Sequence, residues 1–417
     1  MFKSFCSFLL LFTFFISPKT SSFGQTSTTV FLATAKTKTT ILRQQDFINT
    51  LKSTTYRLPF VEKINIQTET DRYEWQRQQY QTRVSFNGWE EMKQEKKWQE
   101  ANINVEEADK NVLFQDVLFD RYALLIDYRT ALKTLNLYQK IYLVFTDKRD
   151  VLQKMAKLST NFNIEDLIKA EENVYQYQQK ITETEGMIKV MLQFSQRLLE
   201  SKDAVLFDTT NWIPLSKMRD FVANLPKFGT NNALLSQQEA KINLAQVNYN
   251  VEKASTKKVI DYAQLKYGAR QKEVLQTELS VGLGFVIPYR GSAKTVLKRL
   301  SFKQLEEKNK LEDIRESLDL QFFNAQQTLQ IIFQAYDLVS QQINDNQTLY
   351  ALDHYTQMQG GSPIVMLRMQ ELVLQRQARL LDLEHDAFVQ YLKLLSGTGK
   401  LAALPLQNYL SAGFDGF

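Results

Sequence analysis

Two long stretches of the chain repeat apolar residues at alternating spacings of three and four. In the first, Phe114, Val117, Leu124, Tyr128, Ala131, Leu135, Tyr138, Tyr142 and Phe145 fall on one series, interrupted only by Arg121. In the second, Leu318, Phe322, Ala325, Leu329, Ile332, Tyr336, Val339 and Ile343 do the same. Residues so spaced share one helix face and read as a coiled-coil-like seam. Residues 88–157 hold no proline and, after Gly88, no glycine, which predicts one helix over the whole stretch. At 1.5 Å per residue it is a rod of roughly 105 Å. The counterpart covers 290–358. A short breaker ends each rod, at 158–163 and 359–363, and a shorter helix follows each breaker, at 164–201 and 364–395.

Before each rod the period changes from helical to two. Residues 60–70, 78–87, 258–268 and 275–288 alternate apolar and polar as strands do. In the last of these Leu279, Val281, Leu283, Phe285 and Ile287 point to one side, with Gly282 and Gly284 between them. A helix precedes each strand pair, at about 35–56 and 231–256. The order helix, strand, strand, long helix, breaker, helix therefore occurs twice. Aligning Ile164–Ala170 with Ile364–Gln370 gives a period of 200 residues, far beyond solenoid repeats and in keeping with a duplicated half-molecule. The expected organisation is a leader at 1–24, a first repeat at 25–202, a linking segment at 203–230, a second repeat at 231–396 and a tail at 397–417. Trp212, Ile213, Phe221 and Phe228 among Pro214 and Pro226 make the linking segment a packed belt rather than a flexible tether.

Composition narrows the picture. Seven prolines and fourteen glycines in 417 residues are too few to punctuate several loop-rich domains. The 51 basic and 46 acidic residues contain no long basic block, which removes nucleic acid as an expected partner. Lys3, the apolar stretch Phe5 to Ile16 and the small residues of Ser21–Gln25 read as a cleaved secretory signal. That stretch is short of the roughly 20 residues a spanning helix needs. The only cysteine, Cys6, lies inside it, so the exported chain carries no disulfide and relies on size, packing or oligomerisation. No other run of 18 apolar residues exists. Entry into a membrane would have to be through β-strands.

At this point the sequence resembles the TolC family of outer-membrane efflux and secretion channels. The residues that carry the resemblance are the strand-to-rod junction Val281–Gly291, the second tip from Tyr355 through Gly360, Gly361, Ser362 and Pro363 to Val365, and the final helix with Tyr391 and Leu394–Gly397. In the first half they are Leu58–Pro59, Val84–Gly88 and Asn163–Ala170. The resemblance implies a mainly α fold with a small β part. It implies a homotrimer in which four strands per subunit join a shared twelve-stranded β-barrel in outer-membrane lipid, while the helices form a long α-helical coiled-coil barrel through the periplasm. It also implies docking of the helix tips on a periplasmic adaptor, a membrane fusion protein, and through it on an inner-membrane pump. The matching tip residues are Ser159, Thr160 and Asn161, and Gly360, Gly361, Ser362 and Pro363. Gly360 and Gly361 permit a sharp reversal, and Pro363 suits the first turn of the returning helix. The periplasmic aperture, acidic in many relatives, maps to Met366 and Met369 here, with Asp166 and Lys169 at the equivalent places in the first half.

The first hairpin departs from the pattern in being strongly polar, with Phe60, Ile64, Ile66, Val84 and Phe86 as its main lipid-facing residues and Tyr73, Trp75 and Tyr80 near a polar boundary. His354 and His385 are the two histidines; Asp382, His385 and Asp386 share a helix face, which reads as a solvated surface rather than a metal site. No phosphate loop, nucleophile elbow or paired-cysteine pattern occurs, so no cofactor and no enzyme activity are expected. The function implied is a passive exit duct of a tripartite efflux or type I secretion system. The alternative is a periplasmic coiled-coil scaffold that binds an adaptor without a functional membrane barrel.

Overall fold

The computed structural model describes residues 24–54, 57–70, 78–158, 162–199, 205–226, 232–269, 277–285, 290–344 and 362–417. Residues 1–23 of the expected leader, the last part of the expected second rod at 345–358, the tip residues Ser159, Thr160, Asn161, Gly360 and Gly361, and Phe228, His354, Tyr73, Trp75 and Ile287 lie outside them. The fold is mainly helical, with one small antiparallel sheet, as expected.

The chain begins with β1 (Gly24–Thr26), α1 (Thr28–Ala33), a 3-10 turn and α2 (Thr39–Ser53), so the single helix expected at 35–56 is broken in its first part. β2 (Val61–Thr70) and β3 (Gln78–Phe86) lead into α3 (Trp89–Leu158), an unbroken helix of 70 residues. α4 (Ile164–Leu199), β4 (Val205–Phe207) and α5 (Leu215–Ala223) follow. α6 (Ala233–Ser255), β5 (Ile260–Ala269), β6 (Thr277–Phe285), α7 (Arg290–Asn344) and α8 (Pro363–Gly397) then give the second run of the same order.

Two short helices lie along each rod, one nearer the sheet and one nearer the tips. α2 is tied to α3 by Gln44–Glu106 at 2.7 Å, Lys52–Glu107 at 2.6 Å and Lys110–Gln45 at 2.9 Å. α6 and α8 meet end to end. The Asn232 side chain caps α6 by accepting from Leu234 N–H, and donates through Nδ2 to the last carbonyl of α8, Gly397, at 2.7 Å. Near the sheet the helices lie side by side in the order α2, α3, α6, α7; toward the tips the order is α4, α3, α8, α7.

The second seam follows its spacing: Leu318, Phe322, Ala325, Leu329 and Ile332 are buried, and Tyr336, Val339 and Ile343 are partly buried. The first does so only in part. Val117, Tyr128 and Phe145 are buried, but so are Leu118, Tyr122, Leu125, Ile126, Leu137 and Ile141 beside the expected line. α3 has neighbours on several sides, so its covered surface is wider than one stripe.

Arg121, which breaks the apolar series, is 1% exposed and central to the core. Its guanidinium donates to the carbonyl of Phe31, to the hydroxyl of Thr34 and, at 3.1 Å, to the carbonyl of Thr34, and it lies 5.0 Å from the Phe31 ring centroid. These carbonyls close the C-terminal end of α1, where the helix dipole favours a cation. Burial lowers the Arg121 pKa to about 10, which leaves it charged at neutral pH.

Around this point the segments 205–226 and 398–417 form a belt on α3 and α8. Ile213 N–H donates to Leu410 O at 2.8 Å, Ala412 N–H to Asn211 O at 3.1 Å, and the buried Tyr122 hydroxyl to Gln407 O at 2.8 Å. Phe221 sits among Tyr391, Tyr409 and Phe414, with ring centroids 5.9, 5.8 and 5.1 Å away. Phe417 belongs to the same packing, its N–H donating to Leu406 O. Arg121→Leu removes three donated bonds and leaves buried acceptors without partners. We expect a loss of about 2–4 kcal/mol, read as a lower thermal midpoint; an unchanged midpoint would show that α1 is held without Arg121.

Candidate functional site

The sheet order is β2-β3-β5-β6, all antiparallel. Residues paired directly across strands share a face, so the register sorts every side chain. One face carries Ile64, Val84, Ala263 and Leu283 on one rung, Ile66, Thr82, Leu265 and Val281 on the next, and Thr68, Tyr80, Tyr267 and Leu279 on a third. Beyond a bulge in β2 and another in β5, the pairs Val61–Phe86 and Ile260–Phe285 add a fourth. The opposite face carries Lys63, Ser85, Tyr262 and Gly284, then Asn65, Arg83, Gln264 and Gly282, then Gln67, Gln81, Lys266 and Ser280. The sheet is thus apolar on one side and polar on the other.

In a water-soluble domain an apolar face is covered by a helix or a second sheet. Here it is bare: Ile66 is 74% and Val281 75% exposed, and Ile64, Leu279, Leu283 and Phe285 are exposed as well. Aromatic residues mark both ends of the bare face. Tyr80 and Tyr267 pair at 6.4 Å toward the hairpin ends; Phe60, Phe86 and Trp89 cluster toward the helices, with centroids 4.9 and 5.7 Å apart. Four rungs at two residues each extend about 20 Å along the strands, against a typical lipid-facing band of roughly 25 Å. The thin first hairpin expected from sequence is therefore completed by β5 and β6, which supply the larger part of the apolar face.

The layer has unsatisfied edges throughout. β2 and β6 each have one unpaired side. The edge helices α2, α4 and α7 expose Leu42 and Phe47, Tyr175, Val190 and Phe194, and Phe302, Phe323, Ile331 and Leu338 respectively.

At the opposite end of the rods, Leu158 is 87% exposed and Ile164 and Ile168 are exposed. Asn163 Oδ1 accepts from Glu165 N–H at 3.1 Å and starts α4. Pro363 occupies the first turn of α8, after Ser362. Asp166 is partly buried, and Lys169 lies 4.0 Å from Glu165 in a largely exposed pair. Met366 and Met369 are partly buried on either side of the buried Leu367. α3 lies between α4 and α8, so within one subunit the Asp166–Lys169 pair and the Met366–Met369 pair are on different helices.

Among the described residues no helix is long and apolar enough to cross a membrane, and no three His, Cys, Asp or Glu side chains group as metal ligands. His385 is instead a helix clasp. Its Nε2 is 3.1 Å from Asp127 of α3 and its Nδ1 3.6 Å from Asp386. Next to it, Glu384 accepts from Arg129 at 2.8 Å and Lys133 at 2.7 Å. Burial opposes ionisation of Glu384, but these two cations overcome it and hold its carboxyl below the usual range.

The same arrangement of helices and strands occurs in solved structures of membrane channels. CusC, described in terms of folding and transmembrane channel formation, superposes with a TM-score of 0.66 at 11% identity, over 90% of this chain and 92% of its own. The open-state outer-membrane channel MtrE of Neisseria gonorrhoeae gives 0.64 at 10% identity, over 89% and 88%. The outer-membrane channel CmeC of Campylobacter jejuni gives 0.59 at 10% identity, over 94% and 85%. The chain has the TolC-type fold. No family model and no curated protein matches the sequence, so the likeness rests on architecture: two rods, stacked helices, an equatorial belt and four strands, with little residue identity.

The hydrogen bond to Asp127 raises the His385 pKa, and burial only partly offsets it. A raised folded-state pKa stabilises the fold fully below the unfolded value, about 6.5, and the effect is lost as pH rises through the folded value. The thermal advantage of the wild type over His385→Asn is expected to be largest near about pH 6 and to shrink toward about pH 8.5. An advantage that does not vary with pH would contradict the clasp.

Proposed function

We propose that the chain is one subunit of a trimeric outer-membrane channel, a passive exit duct for a tripartite efflux or type I secretion system. The observation that carries this reading is the sheet, bare and apolar on one face, polar on the other and open at both edges. In lipid, unpaired backbone N–H and C=O groups cost several kcal/mol each. β6 of one subunit against β2 of the next removes both edges, and the same cyclic order sets α7 against α2 and α4. Such head-to-tail contacts close into a ring. The apolar face then meets lipid between its two aromatic belts, and the polar face lines water.

The channel needs no catalytic residue, because energy comes from a pump in the inner membrane. The tips, Ser159, Thr160 and Asn161 with Gly360, Gly361, Ser362 and Pro363, dock on a periplasmic adaptor. Asp166, Lys169, Met366 and Met369 line the aperture, which lacks an acidic ring on α8. The short apolar band favours one other reading, an adaptor-binding periplasmic scaffold without a membrane barrel.

Extraction of the tagged chain from membranes in detergent should recover a trimer that conducts ions in a planar bilayer and brings a periplasmic adaptor with it. Replacing Gly360 and Gly361 by valine should lose the adaptor while trimer and conductance persist. A soluble oligomer without conductance would favour the scaffold, and full adaptor recovery by the valine variant would remove the docking role of the tips.

A further inference from the structure

We infer that the β-barrel section prefers anions, and that Lys63, Arg83 and Lys266 set this preference. The inference rests on the channel reading, which turns the polar face of the sheet toward the lumen. Three successive rungs on that face each carry one cation and no anion: Lys63 on the first, Arg83 on the second and Lys266 on the third. Among the described residues none of the three is in an ion pair with a carboxylate.

Arg83 is held in place by neutral groups. Its Nη2 donates to Gln264 Oε1 at 3.1 Å, and its guanidinium carbon lies 4.1 Å from the centroid of the Tyr262 ring. The Tyr262 ring occupies the space in which a Cβ on Gly284 would sit. With no side chain at Gly284, that ring can lie flat along the sheet and serve as the platform for the cation. A tyrosine and an amide leave the charge of Arg83 uncancelled, whereas a carboxylate would neutralise it.

The surrounding charges do not undo this. Toward the helices, Glu62 and Asp261 are both engaged by Lys258, at 3.2 and 3.0 Å. Toward the hairpin ends, the rung after Lys266 holds Glu69. Among the described residues the acids near this face therefore stand at its two ends, Glu62 and Asp261 toward the helices and Glu69 toward the hairpins, with the cations between them. Rungs are about 6.7 Å apart, within a Debye length of about 8 Å at physiological salt. Three cationic rungs, repeated by every subunit around the lumen, act as one continuous positive section that concentrates small anions. The ligand class is a hydrated inorganic anion or the anionic end of a transported molecule.

The test is the reversal potential of the detergent-extracted trimer in a planar bilayer across a potassium chloride gradient. The expected result is a chloride-to-potassium permeability ratio above one. Lys63→Gln with Lys266→Gln, neither residue being in an ion pair with a carboxylate among the described residues, should lower that ratio about twofold or more; Arg83→Gln should lower it further. A conducting trimer that prefers potassium, or a ratio unmoved by these substitutions, overturns the inference and leaves the channel reading intact. Absence of conductance in the wild type overturns both.

Discussion

A four-stranded sheet with two open edges cannot end at its own subunit boundary in lipid. β2 and β6 each leave one edge of backbone donors and acceptors unpaired among the described residues, and hydrocarbon would offer them nothing. The rest of the architecture follows the same rule. Helix order repeats strand order: α2 or α4 stands on the β2 side and α7 on the β6 side, each exposing apolar residues where a neighbour would cover them. One cyclic operation therefore satisfies sheet and helices together. With Cys6 as its single cysteine, the chain cannot form a disulfide within itself.

The helical part is held together at one level. Near Arg121 the belt, α1, α3 and α8 share a core that includes Leu118, Tyr122, Phe388, Tyr391 and Leu410. Toward the tips, among the described residues, a second cluster forms around Leu137, Ile141, Phe145 and Val174, aided by Lys148–Glu371 at 3.0 Å.

Much of this was legible in the sequence. The change from period 3.5 to period two located the four strands of the antiparallel sheet and the described parts of both rods, since each element packs one face and its side chains report that face directly; the short parallel pair β1–β4 went unread. The second seam was read residue by residue for the same reason. The first was not, because α3 is covered on several sides and a single stripe cannot describe it. Arg121 looked like an interruption. Only the structure shows that α1, some ninety positions earlier in the chain, ends against it. Alternation marks the polar strand faces without showing which side chains meet on them. Their meaning depends on register, which sets Arg83 beside Gln264 and Tyr262 above Gly284, and register is a tertiary property that alternation alone does not fix.

The central claim is that β6 of one copy pairs with β2 of the next until the ring closes. Cysteines stepped along β2 and β6 test it most directly, because the two strands are separated by β3 and β5 within a subunit, about 14 Å at strand spacing, beyond the roughly 7 Å limit for a disulfide. Oxidation of the assembled protein should give a ladder on denaturing gels that stops at three chains, with strongest cross-linking at one register. A ladder that runs on past three, or no cross-link at any register, would contradict the account.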